Sequence, residues 1–240
     1  MRHLILTFLL IFIPVLAIAQ TAEEYFIKGM AQYYLGEYKG ALQDCNKSIQ
    51  LDPNYVDLNG STAYYCRGLA KKQLGDYKGA IPDYNKAIEL NPNQADAYLN
   101  RGNAKVTLGD KIGATQDFNK AIELDPNLAM PYFKRGIIEA DLNNHIGAIQ
   151  DFNKVIELNP NFPLAYYMRG MSKFSLRDFR GAILDCNKTI ELNPNHAEAY
   201  KTRGVAKLVL GQKDSGCLDL SKAGELGNMK AYDVIKEFCQ

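Results

Sequence analysis

The side chains in this 240-residue chain that could do chemistry are mostly acids and bases held at one spacing. Arg67, Arg101, Arg135, Arg169 and Arg203 stand 34 residues apart, and each is followed sixteen residues later by Asp83, Asp117, Asp151, Asp185 or Asp219. Lys28 and Asp44 keep the same offset at the start of the series. A guanidinium and a carboxylate in fixed register either form a bidentate ion pair or remain independent solvated charges. Each of these five arginines is followed by a glycine, which places it on a packed side and favours a structural ladder of pairs. Histidine occurs only at His3, His145 and His196. No Cys/His group has metal-ligand spacing, no glycine-rich loop precedes Lys-Ser/Thr, and no Ser, His and Asp share a register. The expectation is no enzyme, no cofactor and no metal.

The five cysteines fall into two pairs and one remainder. Cys45 and Cys186 fall at the position held elsewhere by Tyr84, Phe118 and Phe152, which predicts buried thiols. Cys66 has no evident role. Cys217 and Cys239 flank a turn at Gly227, ten residues before it and twelve after. If the last segment folds back as an antiparallel helix, the offset of two residues is about 3 Å of helical rise. The two sulfurs would then either bridge or remain reduced in the core of a terminal cap.

The elements that position these groups follow from the period. Pro-Asn recurs at 92, 126, 160 and 194, in step with Arg-Gly. Self-similarity at 34 residues indicates a solenoid of paired helices. Six units result: 22–55, 61–94, 95–128, 129–162, 163–196 and a degenerate 197–228, with a capping helix over 229–240. Only the first junction breaks the spacing, where five extra residues around Asn59-Gly60 predict a longer loop. In the third unit, Tyr98, Gly102, Lys105 and Leu108 mark one helix face. Gly109-Asp110 is a turn, and Ala114, Phe118, Ala121 and Ile122 recur at helical spacing until Pro126 stops the ladder. Glycine inside a helix costs about 1 kcal/mol relative to alanine, so a glycine at the same place in every unit implies close packing.

The recurring Tyr-x-x-Arg-Gly-x-Ala, Leu-Gly-Asp and Asn-Lys-Ala-Ile-Glu-Leu-x-Pro-Asn resemble the tetratricopeptide repeat over residues 22–228. The stretch 211–239 is similar to the tails of secreted or periplasmic members from Bacteroidetes-type bacteria. The resemblance implies an all-α, right-handed superhelical solenoid of helix-turn-helix repeats that acts as a non-catalytic scaffold. Such arrays usually bind a peptide segment in a concave groove lined by the first helices. The register gives Phe26, Tyr65, Leu99, Phe133 and Tyr167 as one groove row, and Met30, Leu69, Asn103, Ile137 and Met171 as the next, with Tyr33 a turn later. Each of these could instead be core between repeats. The carboxylate-gripping set of cytosolic chaperone-tail binders is not matched at Phe26, Met30, Cys66, Asp96 and Asn100. An alternative is a structural or assembly subunit that uses its convex face.

Residues 1–19 read as a secretory leader: Met1-Arg2-His3 is positive, Leu4 to Ile18 is nearly all apolar, and Ala17-Ile18-Ala19 offers small residues for cleavage. An uncleaved anchor is the alternative. Cleavage would take Arg2 from the 28 basic residues and leave 27 against 27 acidic ones. A neutral chain gives no reason to expect nucleic acid as a partner. The partner expected is a protein or peptide, in a periplasmic or extracellular setting, with no membrane span after leader cleavage.

Overall fold

Each unit carries two stretches of helical apolar periodicity divided by a turn, and the chain folds accordingly. The structure is a computed structural model that describes residues 21–239, so the expected leader lies outside the described residues. The first helices of the six units are α1 (Ala22–Tyr34), α3 (Ala63–Gln73), α5 (Ala95–Thr107), α7 (Ala129–Asp141), α9 (Pro163–Ser175) and α11 (Ala197–Val209). The second helices are α2 (Tyr38–Leu51), α4 (Tyr77–Leu90), α6 (Lys111–Leu124), α8 (His145–Leu158), α10 (Phe179–Leu192) and α12 (Lys213–Glu225). A thirteenth, α13 (Met229–Phe238), closes the array.

The turn chemistry explains the recurring Gly-Asp. Gly36, Gly75, Gly109 and Gly211 lie in the left-handed region with φ between 76° and 86°, where glycine carries no steric penalty. Asn143 and Arg177 occupy that position in units four and five. The next residue caps the second helix. Asp76, Asp110, Asn144 and Asp178 each accept a hydrogen bond from the N–H of a glycine three residues on, at 2.8–3.2 Å.

Each first helix packs on its own second helix and on the first helix of the next unit, and each second helix packs on the following first helix. Among the described residues no second helix meets another second helix. The first helices therefore line the inner side of a curved stack. The core is a series of clusters that join neighbouring units: Ala80, Tyr84 and Ala87 pack with Ala97 and Ala104 of the next unit, and Ala148, Phe152 and Val155 with Ala165. A Cβ added at Gly102 would lie 2.6 Å from the Phe118 ring, so the bare backbone there is what lets the aromatic of α6 lie against α5.

The five extra residues at the first junction form a loop closed on itself. Val56 and Thr62 make an isolated antiparallel bridge, and Asp57 Oδ1 accepts from the N–H groups of Asn59 and Ser61 at 2.9 and 2.7 Å. The stacking beneath the loop is undisturbed. Asn46 still reaches Arg67 at 2.7 Å, as Asn85 reaches Arg101 at 2.8 Å.

Candidate functional site

The charge series is one connected structure. In unit three, Arg101 donates from Nε and Nη2 to the two carboxylate oxygens of Asp117 at 3.0 and 2.6 Å. The same fork joins Arg67 to Asp83, Arg135 to Asp151, Arg169 to Asp185 and Arg203 to Asp219 at 2.5–3.0 Å. Every one of these aspartates is buried. The third guanidinium nitrogen reaches back to the preceding unit, to Asn46, Asn85, Asn119, Asn153 or Asn187 at 2.5–2.8 Å. Each guanidinium also lies over the ring of Tyr64, Tyr98, Tyr132, Tyr166 or Tyr200, 5.3–5.7 Å from its centroid. Lys71, Lys105, Lys173 and Lys207 add a second cation to the aspartate at 2.7–2.8 Å. Unit four has Glu139 at that place, so Asp151 depends on Arg135 alone. Its hydrogen bonds push the Arg135 pKa above the usual arginine value. The Asn and Tyr contributions escape a reading of charges alone, although Asp-x-Asn recurs in the sequence with the full period. In unit one the exposed Lys28 takes the arginine's place and meets the two oxygens of buried Asp44 at 3.1 and 3.3 Å.

The inner face departs from the register drawn for it. Phe26, Tyr65, Leu69 and Phe133 are buried and do not line a groove. Their position on the first helix points between units. The Phe133 ring lies 5.0 Å from Phe162 and 5.9 Å from Phe152, Phe26 lies 5.5 Å from Tyr55, and Tyr65 lies 6.1 Å from Tyr84. Leu69 belongs to the cluster around Tyr84. Met30, Tyr33, Leu99, Asn103, Ile137 and Tyr167 are half-buried, and Met171 is exposed. Other first-helix residues, outside those two rows, carry the exposed apolar surface: Ile27, Tyr34, Met130, Leu164 and Val209. Position on a helix read from one sequence does not show which way neighbouring units lean, and that lean decides which side chains remain open.

Two clefts interrupt this face. One, of about 220 Å³, is lined by Ala140, Asp141 and His145 of unit four and by Tyr167, Met168, Met171, Ser172 and Ser175 of unit five. Burial raises the Tyr167 pKa above its ordinary value. The other, of about 150 Å³ and almost wholly apolar, lies between Val205, Leu208 and Val209 of α11 and Val234 and Phe238 of α13. Phe238 therefore faces an open groove, whereas Ala231 fills the cap core with Leu220 and Ala223. Among the described residues, no group of three or more His, Cys, Asp or Glu could hold a metal ion, and no helix is long and apolar enough to cross a membrane.

Cys217 and Cys239 are bridged, Cα atoms 5.8 Å apart, which ties α12 to the end of α13. Cys45 is not a free thiol: it is bridged to Cys66, Cα atoms 6.2 Å apart. The bridge joins α2 to α3 directly beneath the inserted loop, a proximity that the broken period concealed. Cys186 is free and buried, and burial pushes its pKa up to about 12.

Sequence profiles described as tetratricopeptide repeat or TPR repeat match residues 22–55, 68–109, 95–128, 131–162 and 164–196. No curated protein matches the chain in sequence. Among solved structures, MamA is 28% identical with a TM-score of 0.64, covering 74% of this chain and 99% of its own. A tetratricopeptide repeat protein from Parabacteroides merdae is 25% identical with a TM-score of 0.60, covering 92% and 84%. YrrB, described as a TPR protein with an unusual peptide-binding site, is 22% identical with a TM-score of 0.70, covering 80% and 97%.

Proposed function

Because the chain belongs to the tetratricopeptide repeat family and so serves as a scaffold for protein interactions, we propose that it is an exported, non-catalytic adaptor. Its first helices would hold an extended segment of a partner protein. The observation that carries this reading is the inner face itself. Exposed Met130, Leu164, Met171 and Val209 run from α7 through α9 to α11, with Ile27 apart on α1, and both clefts open among or beside them. Exposed apolar residues that extend from one unit to the next mark an interaction site, and methionine adapts to varied side chains. Two disulfides suit an oxidising compartment, in keeping with the apolar leader sequence. The peptide site named for YrrB makes a groove ligand reasonable for the fold without identifying one here.

Phe133→Glu is unsuitable as a test because it buries a charge. Met171→Glu and Leu164→Glu change exposed side chains and leave the core intact. Partner proteins captured from the extracytoplasmic fraction by the wild type should be lost with both variants at unchanged melting temperature. A second reading, assembly through the outer side, draws on Ile112, Leu142 and Ile146, exposed by 78%, 62% and 64% where the turns of units three and four meet. Capture that survives the Met171 and Leu164 changes but fails with Ile146→Glu would favour it and overturn the groove.

A further inference from the structure

Unit four departs from the others at the edge where its turn meets unit three. At the place of Glu139, units two, three, five and six carry Lys71, Lys105, Lys173 and Lys207, and each of those lysines meets the ladder aspartate of its own unit. A carboxylate there would be repelled by Asp151. Glu139 turns instead to the loop, where its Oε2 accepts from Asn144 Nδ2 at 2.7 Å. Glu139 is half-buried, and among the described residues no ion pair reaches it and no donor meets its other oxygen. Arg135 lies one turn back on α7, but its Nε, Nη1 and Nη2 are taken by Asp151 and Asn119. A second departure lies at the second residue of the second helix. Lys39, Lys78, Arg180 and Asp214 are charged there, whereas units three and four have Ile112 and Ile146. Both are exposed, as is Leu142 just past α7. The departures meet in a cleft of about 270 Å³ lined by Lys111, Ile112, Thr115 and Gln116 of α6 and by Glu139 and Leu142 at the end of α7. The one cation of its lining is neutralised, since Lys111 pairs with Asp141 at 3.1 Å. Gln116 is exposed, and among the described residues its side chain makes no hydrogen bond. An apolar rim thus surrounds an uncompensated carboxylate and a free amide.

We propose that this cleft seats an arginine side chain of a partner protein, carried on a short segment with apolar neighbours. The proposal rests on the outer-side reading given above and does not need the groove, because the cleft opens where the turns meet. Charge selects the occupant. Glu139 calls for a cation, and the ladder has none to spare. A guanidinium offers five donors in one plane, enough for the free Glu139 oxygen and the Gln116 carbonyl together. It is also more weakly hydrated than an ammonium, so it loses less on entering a cleft with an apolar rim. The apolar neighbours of the arginine would cover Ile112 and Leu142, with Ile146 one unit on. No other junction among the described residues sets a carboxylate at the Glu139 place against an isoleucine of the unit before, so the seat occurs once along the array.

The test uses nonapeptide libraries with acetylated N-termini and amidated C-termini, flanks varied over Leu, Ile, Met, Ala and Ser, and a central Arg, Lys or citrulline, the uncharged isostere of arginine. They are passed over the immobilised full chain carrying Met171→Glu and Leu164→Glu, which closes the groove, and retained peptides are counted by mass spectrometry. The Arg-centred library should be retained about tenfold over the citrulline-centred one, the scale of one charge-assisted contact, and above the Lys-centred one. Adding Glu139→Lys should abolish that preference. Four other units carry lysine at this place, so the variant should fold, and melting curves check that it does. Adding Ile112→Ser with Leu142→Ser instead should lower the retention of every library. Equal retention of the Arg and citrulline libraries, both lost with the two serine changes, overturns the arginine seat and leaves the outer-side reading standing. An Arg preference that survives Glu139→Lys also overturns the seat, as does a preference for Lys over Arg. Retention that appears only when Met171 and Leu164 are restored belongs to the groove and removes the seat and the outer-side reading together. Retention of no library removes both as well.

Discussion

Arg135→Ala should cost more than the same change anywhere else in the ladder. The Asp151 carboxylate keeps only 8% of its side-chain surface in solvent and Arg135 keeps 25%. Both Asp151 oxygens take their hydrogen bonds from Arg135, at 2.9 and 2.6 Å. Truncating the arginine strands a buried carboxylate, which costs about 3–5 kcal/mol for a fully buried pair; the residual exposure of Arg135 places this one near about 3. In unit three the same carboxylate position, Asp117, would keep Lys105 at 2.8 Å after Arg101→Ala. One charge-assisted bond of about 1.5 kcal/mol or more then remains, so Arg101→Ala should cost roughly half as much. Urea unfolding followed by circular dichroism gives the totals. Hydrogen exchange on α7 and α8 locates the loss, since repeat arrays need not unfold in one step. Adding Glu139→Lys to Arg135→Ala restores the arrangement of unit three and should recover about 1 kcal/mol or more. Equal costs for Arg101→Ala and Arg135→Ala, within about 0.5 kcal/mol, would refute the dependence on the second cation. Losses below that value for both would mean the pairs behave as solvated charges.

Gly102→Ala should destabilise by about 1–3 kcal/mol, because the new methyl would meet the Phe118 ring. Gly170→Ala should be near neutral in the same denaturation assay. Cys186 stands there in place of an aromatic, the nearest side-chain atom is Asp185 Cβ at 3.1 Å, and helix propensity gains about 1 kcal/mol. Each bridge closes a loop of 21 or 22 residues and should contribute about 3 kcal/mol; dithiothreitol should therefore speed hydrogen exchange in α1–α3 and α12–α13 before the middle units. Cys186 should stay unmodified by iodoacetamide at pH 8 until the chain unfolds, because burial holds its thiol protonated up to about 12. The sign of the linkage follows. Above the ordinary value of 9.0 the unfolded thiol ionises first, so stability falls between there and about 12, and Cys186→Ala should flatten that fall.

The fold was legible because its determinants are local and repeated. Gly-Asp specifies a left-handed residue followed by a helix cap, Pro-Asn stops the second helix, and small residues mark close approaches; each recurs often enough to average out exceptions such as Asn143 and Arg177. The Arg–Asp register was legible for the same reason, since both partners lie within one unit. The inner face was not. Phe133 and Met171 both sit on first helices and both looked available, yet one is 3% and the other 37% exposed. The difference arises from how unit four leans on Phe162 of the following loop, a contact that no periodicity encodes. The Cys45–Cys66 bridge was hidden in a related way. Cys45 aligns with Tyr84 and Phe118, which are core residues, and nothing in the register tells a buried thiol from a buried half-cystine.

The ladder and the two bridges divide the work of holding the stack. Interior units have neighbours on both sides, and each receives an Asn from the unit before and gives one to the unit after. At the ends that arrangement fails. Unit one has the exposed Lys28 in place of arginine, without its fork, and Ser221 replaces the asparagine of unit six. The bridges fall at these two places, α2 to α3 and α12 to α13. End units of a solenoid bury only one face and open first. Between α12 and α13 the bridge stands where no Asn–Arg–Asp chain continues, and between α2 and α3 it adds to the intact Asn46–Arg67–Asp83 chain, so the inserted loop can sit over α2 and α3 without loosening them. With spacing fixed by ladder and bridges, Ile27, Met130, Leu164 and Met171 on the first helices stay exposed outside the packed core. Those are the positions whose residue types vary most between units while their neighbours Tyr, Arg and Gly stay fixed. A surface that the scaffold does not constrain is one whose chemistry is free to follow a partner.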